Sequence, residues 1–387
     1  MTSILENVQY TEAFIEGGSV EECEIATTSV TGSKLTMLNR MKLSALMVVV
    51  LISSGVMGVL SPLIVTYYVS DYFVVFATTL EFLLIFGLLY LIVVKNKTKP
   101  KEGKLIVLLG VLNAIMAMSY LYSSDPMRTP PVMQSTLTGI AVIPSAIIKR
   151  YVFGNTVEYN SWFISFSIFF LVASVCVSAY PLIENMNGNY MMVFWCCLYL
   201  AGGVCVRSWY NVIQELYVKK TEHSGQTLTF KESLGNKIEL SFFSMLIMIG
   251  CIVPLSGFEW IIYSGSNRTD WYMGPLYDFN NSFHEAFTTV REGLFLQSFI
   301  FSYLILFFSA IYLNAISTNY HMILTAICNP LVALFYTIFP SLNPGIQYPL
   351  WATLLSLLCG ISSVVLWMFG EGKSNKKCCN NNIKMLQ

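Results

Sequence analysis

The sequence predicts an all-α integral membrane protein in which ten transmembrane helices form two inverted repeats of five. Three observations lead to this prediction. Hydrophobic residues make up 55% of the 387 residues and charged residues only 11%, with a mean hydropathy of +0.62, whereas soluble domains carry about 25% charged residues. Ten apolar runs have roughly the 20 residues that a helix needs to cross a bilayer. Two of these runs contain a proline within similar local sequence.

The apolar runs follow one another along most of the chain. We predict them at residues 43–67, 72–94, 104–122, 132–149, 162–183, 190–213, 238–260, 294–314, 318–338 and 349–370. The short links at 68–71, 184–189 and 315–317 require antiparallel neighbours. The predicted divisions are a disordered cytosolic tail (1–42), a first five-helix repeat (43–183), a second repeat (184–370) with a long lumenal loop (264–293), and a cytosolic tail (371–387).

The distribution of lysine and arginine predicts the orientation, because these residues are enriched in cytosolic loops. With a cytosolic amino terminus, the inner loops and tails hold 18 of the 22 basic residues and the outer loops hold three. Both termini are therefore expected in the cytosol. The long outer loop contains glycosylation triplets at Asn267 and Asn280. Its aromatic residues predict that it lies partly along the membrane surface.

The two prolines indicate an internal duplication. Leu137-Thr138-Gly139-Ile140 precedes Pro144 in the fourth run, and Leu324-Thr325-Ala326-Ile327 precedes Pro330 in the ninth. Interrupted helices at corresponding positions of two halves point to the binding site of a transporter. Prolines also occur in ordinary membrane helices, where neighbouring helices satisfy the freed carbonyls.

Composition and motifs argue against several other classes of protein. The net charge of zero does not favour a nucleic-acid surface. No Cys/His spacing predicts a metal site, and we expect no cofactor. An intramembrane enzyme would need a His/Asp or Ser/Lys constellation, and none is apparent, so we do not expect an enzyme. A seven-helix receptor needs an odd number of spans, whereas the distribution of basic residues predicts an even number. The sequence has no Gly-rich nucleotide-binding loop, so a pump driven by ATP is not expected.

Three ionisable residues within the apolar runs are candidate site residues, because a charge at the bilayer centre costs about 2.5 to 17 kcal/mol depending on the method. Glu81 could line a cavity and bind a cationic solute or a proton, or could pair with Arg207 in a static buried contact. Arg207 could bind a solute carboxylate or have that structural role. His321, with an unperturbed pKa near 6.5, could sense an acidic lumen or simply pack.

Uncharged polar residues within the runs form a second group of candidates. They could line a cavity through hydrogen bonds, or bridge helices for roughly 0.6 kcal/mol each. The predicted substrate-binding members of this group are Gln134, Ser135, Thr138 and Asn329.

Short motifs in three runs resemble a known family. They are Gln134-Ser135 with Ile143-Pro144, Gln214-Glu215-Leu216-Tyr217-Val218-Lys219-Lys220, and Ser241-Phe242-Phe243 with Pro254. With ten helices in two halves, the chain resembles the drug/metabolite transporter superfamily and, within it, the chloroquine-resistance-transporter-like (CRT-like) family. Malarial members carry paired cysteines in the long lumenal loop, and this loop has none, so its packing and any function that depends on it are not carried over.

The resemblance implies a secondary-active transporter that works by alternating access in the membrane of an acidic vacuole or lysosome-like compartment. The implied solutes are peptides, amino acids, amphiphilic cations or glutathione-like thiols, exported from that compartment. Proton coupling through Glu81 and His321 is a separate hypothesis, which rests on these ionisable residues together with an acidic compartment. A nucleotide-sugar or phosphate-ester carrier of the same superfamily is the alternative. Such a carrier would need basic residues deep in several helices to bind its phosphates, and Arg207 is the one that qualifies. A membrane receptor or adaptor without transport is a further alternative. The oligomeric state is left open.

Overall fold

The computed structural model describes residues 30–94, 102–153, 161–185, 191–222, 230–257, 259–260, 273–342 and 348–371. These residues contain ten helices that are long and apolar enough to cross a membrane, and no β-strand. The predicted all-helical fold and the predicted number of membrane-length helices are therefore confirmed.

We number these membrane-length helices as spans 1 to 10. Their bounds are Val30–Tyr67, Asp71–Val93, Gly103–Ser123, Pro131–Gly139 with Val142–Phe153 (both in span 4), Ser161–Asn185, Met191–Leu198 with Tyr199–Val206 and Arg207–Glu222 (all in span 6), Phe230–Leu255, Val290–Ile316, Thr318–Ile338 and Leu350–Glu371. A further helix, Gly274–Thr288, precedes span 8, and a 3-10 turn, Pro340–Leu342, follows span 9.

The helix of span 1 begins earlier than the predicted division at residue 42. It starts at Val30, and its membrane-length part starts at Met41. No proline occurs between Val30 and Lys42, so the backbone hydrogen bonds of the span can continue outward through polar sequence. The rest of the predicted amino-terminal tail and most of the carboxy-terminal tail lie outside the described residues.

Span 4 is broken where the proline motif predicts an interruption. Pro144 has no N–H to donate to the Ile140 carbonyl, and the N–H of Ile143 donates to that carbonyl instead, at 2.9 Å. Ala141 N–H likewise donates to the Thr138 carbonyl three residues earlier, at 3.1 Å. This tighter turn separates the two halves of the span. Span 9 differs, because its helix continues through Pro330 without a break.

Span 6 contains a wide helical segment, the π-helix Tyr199–Val206. The segment includes Gly202 and Gly203, which lie against span 3. A Cβ atom on Gly202 would lie 2.0 Å from the Cβ of Ser119, and one on Gly203 would lie 3.2 Å from a ring atom of Tyr120. Glycine at position 202 is therefore required for the close approach of the two backbones. Segments of this kind are frequent at functional sites.

Each span packs on a definite set of partners. Span 1 packs on spans 8 and 9, and span 6 packs on spans 3 and 4. Spans 2 and 7, spans 4 and 9, and spans 5 and 10 also form direct pairs. The last pair is joined by serines, since Ser167 donates to the Ser363 carbonyl at 2.7 Å and Ser174 donates to the Ser356 carbonyl at 2.9 Å.

The helix Gly274–Thr288 occupies part of the predicted lumenal loop. Phe279 packs edge-on against Phe73 at the start of span 2, with ring centroids 5.6 Å apart, while Phe283 and Phe287 are exposed. Asn280 is also exposed, but Ser282 of the same triplet is buried and accepts a hydrogen bond from the backbone N–H of Ser70 at 3.1 Å. Glycosylation and a surface position of this helix stay predictions, and Asn267 lies outside the described residues.

Candidate functional site

The helices surround a central cavity. It holds about 1280 Å³ of space free of protein atoms, including the part that is open to its surroundings. Its lining comes from eight spans, and spans 5 and 10 contribute no residue to it. The broken turn of span 4 and the π-helix of span 6 both contribute to the wall, through Thr138 and through Tyr199 with Gly203.

Six of the predicted site residues meet at this cavity. They are Gln134, Ser135 and Thr138 of span 4, Arg207 of span 6, and His321 and Asn329 of span 9. These residues are up to 195 positions apart in the chain, so the structure assembles them from both halves of the sequence.

The three candidates in span 4 already have partners. The Gln134 amide donates to the carbonyls of Ser124 and Thr129 at 2.7 and 2.6 Å. The Ser135 hydroxyl donates to the Val132 carbonyl at 2.8 Å. Gln134 therefore holds the segment that leads into span 4, and Ser135 bonds to the backbone of the span itself. They line the cavity without being left unpaired.

Thr138 connects span 4 to the π-helix of span 6. Its hydroxyl oxygen lies 2.8 Å from the Tyr199 hydroxyl oxygen and also 2.8 Å from the Gln134 carbonyl. The tyrosine ring is buried. This contact joins the broken helix to the widened one at the cavity wall.

Glu81 does not line the cavity. It is half-buried, and its carboxylate accepts a hydrogen bond from the exposed Gln297 amide at 2.6 Å. Its neighbour Phe82 does line the cavity, and successive residues of a helix differ in direction by about 100°. Glu81 therefore points to the side of span 2 that packs beside span 8. The expectation that it is a cavity carboxylate or a partner of Arg207 does not fit this placement.

Arg207 brings a positive charge to the cavity. Among the described residues, no ion pair or side-chain hydrogen bond includes it, and none of the described cavity-lining residues is acidic. Arg207 shares the cavity wall with Tyr199, Tyr303 and His321. The predicted static pair with a buried acid is therefore not formed within the described part of the chain.

His321 is held in one orientation by a polar chain. The Asn314 amide nitrogen donates to Asn211 at 2.9 Å and to Gln214 at 2.7 Å, so the Asn314 oxygen is the atom that accepts from His321 Nδ1, at 3.0 Å. In the neutral imidazole, the hydrogen on Nδ1 leaves Nε2 as an acceptor. Nε2 is buried and has no hydrogen-bond partner among the described residues.

Several other buried polar atoms of cavity residues also lack a partner in the described structure. Buried polar groups are normally hydrogen-bonded, so a cluster of unpaired ones at a cavity indicates groups that can bind a solute. They comprise amide, hydroxyl and imidazole atoms: Ser54 Oγ, Thr78 Oγ1, Asn113 Oδ1, Asn211 Nδ2, Asn329 Nδ2 and His321 Nε2.

A polar cluster closes one end of the bundle, and we call it the Glu215 cluster. Glu215 is fully buried and lies 2.7 Å from Lys219 Nζ and 3.3 Å from Lys149 Nζ. Its second oxygen accepts the Thr318 N–H at 2.9 Å, and Lys149 donates to Ser317 at 3.0 Å. The cluster therefore joins the end of span 4, span 6 and the start of span 9.

A second polar cluster lies at the opposite end, and we call it the Glu259 cluster. Arg128 binds the Asp71 carboxylate. Glu259 is buried and accepts hydrogen bonds from the Ser70 hydroxyl at 2.9 Å and from Tyr72 N–H at 3.0 Å. Burial raises the pKa of the Glu259 carboxyl above its usual value, while these two hydrogen bonds act in the opposite direction.

Several cavity residues were missed by the sequence prediction, notably Tyr199, Asn211 and Tyr303. A periodic pattern could have found the first two. Tyr199, Gly203, Arg207 and Asn211 follow one another at intervals of four residues, and residues four apart share a helix face. The face that carries Arg207 is therefore the face that lines the cavity.

Comparison with known proteins gives no match to a protein-family model and none to a curated protein sequence. The resemblance to the CRT-like family rests on the short motifs and on the number of helices, and it stays a prediction.

Proposed function

We propose that the chain is a secondary-active transporter of small organic solutes that works by alternating access, with the central cavity as its binding site. The observation that carries the proposal is the position of the unpaired polar groups. They line one cavity formed by eight of ten membrane-length helices. Ionisable residues inside a membrane protein typically mark a solute or ion pathway, and Arg207 is such a residue.

The packing of the spans supports two inverted repeats, in which spans 1 to 5 correspond to spans 6 to 10. Under that correspondence, the contact between spans 1 and 8 is equivalent to the contact between spans 6 and 3. The contact between spans 1 and 9 is likewise equivalent to the contact between spans 6 and 4. All four pairs are in contact. The pairs 2 and 7, 4 and 9, and 5 and 10 correspond to themselves, and these are in contact too. Rocking of one repeat against the other would expose the cavity to each side in turn.

The two terminal clusters are candidates for the contacts that open and close in such a cycle. The Glu215 cluster belongs to the predicted cytosolic end and the Glu259 cluster to the predicted lumenal end. Both connect spans from the two proposed repeats through charged side chains, and rearrangement of such interfaces is a common switching mechanism.

The finer parts of the proposal are export from an acidic vacuole or lysosome-like compartment, cytosolic termini, and proton coupling. They rest on the basic-residue distribution and on the family resemblance. Because Glu81 lies outside the cavity, His321 is the remaining candidate for proton coupling within it. A nucleotide-sugar carrier is less well supported, since Arg207 is the only basic residue among the described cavity-lining residues.

The test is uptake by vesicles that contain the purified chain. Labelled peptides, amino acids, glutathione and nucleotide sugars would be compared with and without an imposed pH gradient, with protein-free vesicles as the blank. The substitution Ala117→Trp, which fills the cavity, should abolish saturable uptake. Leu84→Trp is the matched control, because Leu84 lies on the same bundle but is 64% exposed. Unchanged uptake in Ala117→Trp would show that solute does not pass through this cavity.

A further inference from the structure

The charge balance of the cavity bears on which solute it accepts. Arg207 contributes a positive charge, and no described lining residue contributes a negative one. Arg207 is half-buried, and a charge that is partly withdrawn from water gains stability from an oppositely charged partner. A bound anion would provide the missing partner, whereas a bound cation would add to the imbalance. The cavity is therefore suited to anions, in contrast to the amphiphilic cations that the family resemblance includes.

The number of charges limits the class of anion. One guanidinium can bind one carboxylate through two parallel hydrogen bonds. A phosphate ester or diphosphate carries additional negative charge, for which the described lining has no second cation. A single carboxylate therefore fits Arg207 better than a phosphate does.

The acceptor atoms of the cavity indicate a second feature of the solute. His321 Nε2 is buried and unpaired, and its Nδ1 is occupied by Asn314. Asn113 Oδ1 is a second buried acceptor without a described partner. Each of these two atoms can accept one N–H group of a solute, and Asn113 lies beside Met245, to whose sulfur its amide nitrogen donates at 3.8 Å. Since both acceptors are uncharged, they suit an amide N–H better than an ammonium group.

The remaining wall is apolar. Spans 2 and 7 contribute Val75, Phe82, Met245 and Met248, and Phe307 of span 8 packs edge-on against Phe82 with ring centroids 5.7 Å apart. Methionine and aromatic side chains adapt to bulky apolar groups. This wall comes from helices other than spans 6 and 9, which provide Arg207 and His321. The cavity can therefore hold the polar and apolar parts of one molecule on different helices.

We propose that the cavity binds amphipathic monocarboxylates of the N-acylamino acid type, with the carboxylate on Arg207, the amide N–H on the His321 side and the apolar body against spans 2, 7 and 8. This inference deepens the proposed function and rests on it. It assigns charge selectivity to the cavity, with anions preferred over neutral and cationic molecules of the same shape.

The experiment uses three probes with one body and three charges. They are N-acetylphenylalanine (anionic), N-acetylphenylalaninamide (neutral) and the 2-aminoethyl amide of N-acetylphenylalanine (cationic), and all three keep the side chain and the acetylated nitrogen. Binding to the purified full chain in detergent would be measured by isothermal calorimetry at neutral pH. We expect the anion to bind roughly 10- to 100-fold more tightly than the neutral amide, the range expected for charge-assisted hydrogen bonds. The cation should bind most weakly. Equal binding of the three probes, tighter binding of the cation, or no binding of the anion would overturn the inference.

Variants assign the preference to Arg207. Arg207→Gln should lower the affinity for the anion to about that for the neutral amide, and Arg207→Lys should retain part of the preference. Glu81→Gln is the control, because it changes the charge of the same bundle outside the cavity. Preserved selectivity in folded Arg207→Gln would remove Arg207 from the site. If that variant does not fold, the three probes on the unaltered chain still decide the question.

Uptake separates this inference from the proposed function. Vesicles that take up labelled N-acetylphenylalanine but not the cation would support both. Selective binding without uptake would contradict transport while the selectivity stands. Uptake of the cation in preference to the anion would keep the transporter and overturn the selectivity.

Discussion

The Glu215 cluster yields a prediction in which three charges should contribute unequally to stability. The Glu215 side chain has no exposed surface, that of Lys149 is 10% exposed, and that of Lys219 is 37% exposed. Removing one partner of a buried ion pair costs about 3–5 kcal/mol, because it leaves the other charge unpaired. Exposed pairs contribute about 0–1 kcal/mol.

The substitution Glu215→Gln isolates the charge, because a glutamine oxygen can still accept the Thr318 N–H. It leaves Lys149 nearly buried without an acid, and we expect a loss of about 3 kcal/mol in the free energy of unfolding. Lys219→Met should cost about 0.5 kcal/mol, since Lys219 is partly solvated and Glu215 keeps Lys149. The double variant Lys149→Met with Glu215→Gln should recover about 2 kcal/mol relative to the sum of the single losses, because no unpaired buried charge remains.

Equilibrium unfolding in mixed micelles with increasing denaturing detergent, followed by tryptophan fluorescence, would measure five free energies: those of the unaltered chain, of the three single variants Glu215→Gln, Lys219→Met and Lys149→Met, and of the double variant. A cost for Lys219→Met as large as that for Glu215→Gln would contradict the burial argument. Strict additivity in the double variant would show that Lys149 and Glu215 are not coupled.

Two further predictions concern the Glu259 cluster and the π-helix of span 6. The pKa of the Glu259 carboxyl is higher in the folded state than in the unfolded state. Its contribution to stability is therefore fully present when the pH is below the pKa of the unfolded state, and it is lost as the pH rises through the pKa of the folded state. The gain in thermal stability between pH 8 and pH 5 should therefore be smaller in Glu259→Gln than in the control Glu285→Gln, and an identical gain in both would contradict the prediction. Gly202→Ala should destabilise the fold by about 1–3 kcal/mol through overpacking against Ser119. The control is Gly250→Ala, because a Cβ at Gly250 would meet nothing within 4 Å, and this substitution should be neutral or stabilising. Equal effects of the two substitutions in the same unfolding assay would argue against a close helix contact at Gly202.

The number of helices could be predicted from the sequence because a bilayer requires long apolar segments, and their length is directly visible. Much of the cavity could be predicted for a related reason. Polar side chains in a membrane helix avoid lipid, which made Arg207, His321 and Asn329 candidates for a cavity, and all three lie at the cavity wall.

The direction in which Glu81 points could not be predicted. Lipid and protein interior are both apolar, so hydropathy does not distinguish the two faces of span 2. Its exposed residues include Leu84 and Leu88, and its buried residues include Phe82 and Phe86. The depth of Glu81 was readable from its position in the run, but its rotation about the helix axis depends on packing with span 8 through Gln297.

The π-helix was also not predicted, because its hydrogen bonds are a property of backbone winding that leaves no mark on hydropathy. Its one visible sign was the pair Gly202-Gly203, which the sequence alone could only identify as small residues. The break in span 4 was predicted because proline removes a specific N–H, whereas Pro330 in span 9 shows that the same removal can be absorbed within a continuous helix.

The winding of span 6 has a consequence for the charge that follows it. A π-helical segment contains about one residue more than the same turn of α-helix. If the segment Tyr199–Val206 rewound to α geometry, every later residue would turn by about 100° around the axis, and Arg207 would be carried along the circumference of its helix. A spin label at Trp209, which is 38% exposed, would report such a rotation as a change in its distance to a second label on span 3. The guanidinium could then be presented or withdrawn by one helix acting alone.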